Sequence, residues 1–218
     1  MKKVSIGLMV VFMGLLLMVA MASAYSISVG DQVTLTIGVG DAVNGGGSFN
    51  VDKVGDSQGA LFSTFCVERN EYFTPGSPMY VGNISNAAYN GGYSGGNPDP
   101  ISSATAYLYY EWATGLIANT KANAIDLQLA IWSLEGEMSV DPITLTAGAN
   151  AFISSAASVS GFYGVQVMNL YGSYTATAGY SDPKQSQLVY NAVPEPTTML
   201  LLGLGLIGVA GIRRKFKG

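Results

Sequence analysis

Chemistry in this chain of 218 residues must come from few side chains. There is one cysteine, Cys66, and no histidine. Without histidine there is no Ser-His-Asp triad, no Cys-His dyad and no His-ligated metal site. A cysteine hydrolase is disfavoured for the same reason, since no imidazole can act as its base. A lone Cys makes no intramolecular disulfide, and an unpaired Cys in an exported chain is a flag. Two phrases stand out. Phe65-Cys66-Val67-Glu68 falls late in a predicted strand, and Leu127-Gln128-Leu129-Ala130-Ile131-Trp132 falls in a predicted helix. Taken singly, Cys66 reads as a small buried hydrophobe. Gln128 reads as a polar helix residue, with Ile125, Leu129 and Trp132 as core. Glu68, Glu111 and Asp126 read as solvated or capping groups rather than paired acids. Asp41, Asn44 and Asp52 lack EF-hand spacing and read as part of a hairpin loop, so no metal and no cofactor are assigned.

Together the two phrases resemble the thioester domains of bacterial surface adhesins. In that family a Cys in an aromatic-Cys-apolar-acid context is cross-linked to a Gln in a Thr-Gln-x-Ala-(Ile/Val)-Trp context. Cys66 and Gln128 match those positions, 62 residues apart, while Leu127 stands where the family has Thr. The resemblance implies a Cys66–Gln128 thioester, made when sulfur displaces ammonia from the side-chain amide. It also implies attachment to a partner amine, such as a surface lysine. Phe65 and Trp132, with Tyr109, Tyr110 and Trp112 nearby, are the aromatic residues expected to shield such a bond from water.

These residues need elements to position them. Tyr25–Gly38 alternates with apolar residues at odd positions, the period of a strand. Ser48–Val54, Leu61–Val67 and Met79–Ile84 read as further strands. In Leu61–Val67 the pleat puts Phe62, Thr64 and Cys66 on one face and Phe65 with Val67 on the other. Ala87–Pro100 reads as a long loop. The period then changes: Ser102–Ala118 and Asn123–Glu137 predict helices, capped by Ser102 or Ser103 and by Asn123. Ala147–Ser158 predicts a third. Gly164–Leu170 and Ser186–Val193 return to alternation. The fold class expected is α+β, a mainly antiparallel β body with a central helical segment.

Two apolar segments bracket this body. Lys2 and Lys3, the run Val4–Val19 and Ala22-Ser23-Ala24 form a signal-peptide pattern cut after Ala24. At the other end Val193 begins a Pro194-Glu195-Pro196 motif. An apolar run of 16 residues follows, Thr197–Ile212, and Arg213, Arg214, Lys215 and Lys217 close the chain. As a helix that run covers roughly 24 Å, short of a bilayer core of about 30 Å, with flanking residues extending its reach. The basic end belongs on the cytoplasmic side, so the body lies on the other.

The tail resembles the PEP-CTERM sorting signal in all three parts. That resemblance implies an exosortase-type processing enzyme in the inner membrane, cleavage near Pro194–Pro196, and delivery to the cell surface or beyond. It also makes an extracellular polysaccharide a possible partner.

The domain plan is therefore a signal peptide at 1–24, an exported body at 25–192 and a sorting signal at 193–218. Charge follows the same division. The body carries four Lys and Arg against 13 acids, a formal charge of −9. An acidic body disfavours nucleic acid and anionic lipid surfaces as partners. Two functions are carried forward, neither of them enzymatic. One is a surface module attaching covalently through Cys66 and Gln128. The other is a structural protein of the envelope or polysaccharide matrix with an inert thiol.

Overall fold

Alternation sets the first strands. In β1 (Gln32–Ile37) Val33 and Leu35 are buried, and in β2 (Phe49–Lys53) so are Phe49 and Val51. The two pair antiparallel, with Leu35 opposite Val51, so their apolar residues share one face. The computed structural model describes residues 27–40, 47–57 and 59–191. The signal-peptide, sorting-motif, apolar-tail and basic-end residues lie outside these, as do Asp41 and Asn44.

Strands β3 (Phe62–Thr64), β4 (Met79–Ser85), β7 (Val165–Thr175) and β8 (Gly179–Tyr190) complete an antiparallel sheet in the order β3-β2-β1-β4-β7-β8. Its two edges meet. Beyond Thr64 the chain leaves β2 and runs along β8: Leu188 N–H donates to Phe65 C=O at 3.1 Å and Val67 N–H donates to Ser186 C=O at 3.1 Å. Over these few residues the two edges of the sheet join, which leaves neither open there. Ala87–Pro100, expected to be loop throughout, contains a small ribbon in which β5 (Ala87–Ala88) pairs with β6 (Asp99–Pro100).

The central segment forms α1 (Ser103–Ala113), α2 (Lys121–Leu134) and α3 (Ala147–Ser155). Each begins on a hydroxyl cap: Ser102, Thr120 and Thr146 accept from the N–H three residues on. The cap of α2 is Thr120, not Asn123. Asn123 lies inside the first turn, and its own N–H is the one Thr120 accepts.

Two apolar clusters result. Val33, Leu35, Val51, Val81, Leu170 and Val189 gather on one side of the sheet with Cys66 and Trp132. Phe65, Val167 and Leu188 pack on the other side against Leu108, Trp112, Leu127 and Ile131 of the helices. The alternation of Phe65, Cys66 and Val67 between the clusters follows from the pleat.

Candidate functional site at the sheet seam

Cys66 sits at this join, opposite Gln187 of β8. Of the hydrogen bonds on either side, one is accepted by Phe65 C=O and the other is donated by Val67 N–H. This makes Cys66 and Gln187 a non-hydrogen-bonded antiparallel pair, the kind whose side chains stand closest. It also aims the N–H and C=O of Cys66 away from β8, into the interior. Left unpaired there, each would carry a desolvation cost. Gln128 of α2 answers both. Its Oε1 accepts from Cys66 N–H at 3.1 Å and its Nε2 donates to Cys66 C=O at 2.9 Å. One side-chain amide takes the place a neighbouring strand would have.

The sulfur meets other groups. The Cys66 thiol donates to Gln185 Oε1 at 3.0 Å, and Gln187 Nε2 donates to Cys66 Sγ at 3.4 Å. Gln185 is held at its far end too, its Nε2 donating to Glu68 C=O at 2.5 Å. Gln187 is held least: Nε2 makes a second contact of 3.4 Å with Gln185 C=O, and its buried Oε1 has no partner among the described residues. Ser186, between the two glutamines, donates its N–H to Glu68 Oε2 at 3.0 Å.

Glu68 corrects the sequence expectation. It is 1% exposed rather than solvated, and its buried Oε1 has no partner among the described residues. Burial, with the Glu71 carboxylate adding to it, pushes the Glu68 carboxyl up to about 8, against the pull of hydrogen bonds from its own backbone and from Ser186. Burial likewise pushes the Cys66 thiol up to about 12; the Gln187 hydrogen bond draws it back and Glu68 raises it further. At neutral pH the pocket holds a thiol and a largely protonated carboxyl, which is how dry surroundings treat ionisable groups without a counter-ion. Glu111 and Asp126 lie elsewhere, accepting from Tyr107 at 2.6 Å and Thr146 at 2.5 Å.

The expected aromatic neighbours divide. Trp132, one turn after Gln128, packs in the cluster of Cys66, with the Arg69 guanidinium 5.9 Å over its ring. Phe65 faces the other way, edge-on to Trp112 at 5.0 Å and to Tyr109 at 6.3 Å. Leu127, where the resembled family has Thr, is buried among the helices. The structure thus brings Cys66 and Gln128 together through the cysteine backbone. The amides at its sulfur are Gln185 and Gln187, which the sequence reading passed over. The alternation from Ser186 was visible there, but which residue opposes Cys66 depends on a register set by the whole sheet. No group of three His, Cys, Asp or Glu among the described residues is placed to hold a metal.

Residues 192–215 match the PEP-CTERM protein-sorting motif. That motif marks an exported protein sorted by an exosortase, with a C-terminal membrane anchor before cleavage. No helix among the described residues is long and apolar enough to cross a membrane. No curated protein and no solved structure matches the chain. The thioester-domain resemblance of the body therefore rests on its residues alone.

Proposed function

We propose that the exported body is a covalent attachment module built on an internal thioester, with Cys66 as the sulfur and Gln187 as the acyl half. The observation that carries this reading is the Cys66–Gln187 pair: directly opposed side chains, with Gln187 Nε2 at 3.4 Å from Sγ. The sequence resemblance names Gln128 for that role. Its amide, however, already satisfies two backbone groups of Cys66, and Gln185 is anchored at both ends. Converting Gln187 sacrifices only two long contacts. In the reaction, sulfur attacks the Gln187 Cδ, an S–C bond forms, the C–N bond breaks, and the thiol proton leaves with the nitrogen as ammonia. A partner amine then attacks the same carbon. Its N–C bond replaces the S–C bond, and the sulfur takes back a proton. A lysine side chain is the partner class this chemistry serves. The fully buried sulfur keeps water away until a partner arrives.

Intact mass tests the reading. A thioester lowers the mass of the processed protein by about 17 Da, one ammonia displaced by the nucleophile. The wild type should show this deficit, and Cys66→Ala and Gln187→Ala should not. A deficit surviving Gln187→Ala but lost in Gln128→Ala would return the acyl role to Gln128. A wild type at full mass with an alkylatable Cys66 would leave the second function, a structural envelope or matrix protein with an inert thiol.

A further inference from the structure

Away from the seam, β4, β7 and β8 carry an unusual run of tyrosines. The register sets Tyr80 opposite Tyr171 and Tyr174 opposite Tyr180. Their rings make one chain, Tyr80–Tyr174 at 5.9 Å, Tyr174–Tyr180 at 4.8 Å and Tyr180–Tyr171 at 5.5 Å. Tyr89 extends it, 5.7 Å from Tyr171. Gly82 of β4 makes room for it. A Cβ there would come within 2.4 Å of the Tyr171 ring and 3.2 Å of Tyr180, so the rings lie down on bare backbone. Tyr171 is the low point, 9% exposed, while Tyr89 and Tyr174 stand open at 52% and 47%.

At the Tyr89 end the strip runs into a groove of 540 Å³, lined by Asn83, Ser85, Asn90, Asn97 and Asn169 among others, with no charged side chain among its lining residues. Lys184 and Asp182, which flank the Pro183 that the register sets opposite Tyr171, pair with each other at 2.7 Å. Cross-strand tyrosines that served only the sheet would gain most from mutual burial, and would need no amide-lined groove beside them.

We propose that this face binds a neutral, β-linked polysaccharide chain. Aromatic faces offer stacking surface for the C–H faces of pyranose rings, and the exposed Asn83 amide offers a donor and an acceptor for their hydroxyl groups, while the buried Asn169, bonded to Tyr89 N–H, Ala87 C=O and Ser186, shapes the groove floor. No cation lines the groove for a polyanion or a lipid headgroup, the Glu71 carboxylate beside it is taken by Asn90 Nδ2, and the net acidity of the body repels anionic polymers. The proposal does not depend on the thioester.

Affinity electrophoresis of the exported protein through gels with hydroxyethyl cellulose, starch or dextran tests it, with cellohexaose titration as a second readout. Hydroxyethyl cellulose should retard the wild type more than the two α-linked polymers. Tyr89→Ala combined with Tyr174→Ala removes two exposed rings and should weaken cellohexaose binding by at least about tenfold, with the melting temperature checked for both proteins. Cys66→Ala should bind as wild type does. Equal mobility in all gels, equal retardation by α- and β-linked polymers, or undiminished binding by the double variant would each overturn the proposal. So would polymer-independent self-association that the double variant abolishes, since the face would then belong to a second copy of this chain.

Discussion

Beside Cys66, backbone direction gives three glutamines different work. Gln128 serves the peptide groups, Gln185 ties the thiol to Glu68 C=O, and of the three Gln187 has the oxygen with no partner among the described residues. Glu68 is the titratable group this arrangement leaves most exposed to pH. Its carboxyl rises from the usual 4.5 to about 8 in the folded protein. A raised acid binds its proton more tightly when folded, so its contribution is fully present below 4.5 and is lost as pH rises through about 8. Denaturant midpoints at about pH 5, 7 and 9 should therefore fall across the series in the wild type. Glu68→Gln keeps an acceptor for Ser186 N–H but has no proton to lose. It should show a shallower fall and be the more stable protein at the alkaline end, by a few kcal/mol. Equal slopes in the two proteins would mean that Glu68 is ionised in the fold.

At the scale of elements, α2 does the work of a missing strand. Gln128→Leu would leave two peptide groups of Cys66 unpaired in a dry interior, at about 1–3 kcal/mol for each. Its melting temperature should drop sharply. With both variants made in a Cys66→Ala background, where no thioester forms, Gln187→Leu removes an oxygen that has no partner among the described residues and should cost little, or stabilise. If both variants melt alike, Gln128 is not the clamp. Much of this layer was legible in sequence. Period-two alternation located β1, β2 and β4, and the change of period located all three helices, because each buries a patterned face. Helix starts were harder: Thr120 and Asn123 are both good caps, and only the position of the first turn decides between them. The outer halves of β7 and β8 were missed because Ser173–Thr175 and Gly179–Asp182 are polar or exposed, with no apolar face to reveal a strand. The Cys66 and Gln128 phrases announced a site. Gln187 did not, since its role comes from register across the joined edges of the sheet rather than from its own neighbours.

For the whole molecule, the sorting motif at 192–215 and the Cys66 site of the body lie in separate parts of the chain. A buried thiol among amides, in a body with three lysines of its own, is suited to a place where partner amines are external. The PEP-CTERM motif at 192–215 supplies such a destination by marking the protein for export and sorting. An ordinary tail anchor needs only an apolar run and basic residues after it, both present in Thr197–Lys217. It has no use for Pro194-Glu195-Pro196 at its outer edge, since two prolines are residue types that a helical anchor disfavours. A processing enzyme that reads the motif and a membrane that reads the apolar run recognise different residues, so the motif and the anchor should separate on mutation. Replacing Pro194, Glu195 and Pro196 with alanine should leave export and membrane insertion intact and block release. Cell fractionation with immunoblotting should then find the variant in the membrane fraction at its uncleaved size, with none outside. If the alanine variant reaches the outside at wild-type size, the three residues do not direct processing, and the apolar run with its basic end carries the sorting information by itself.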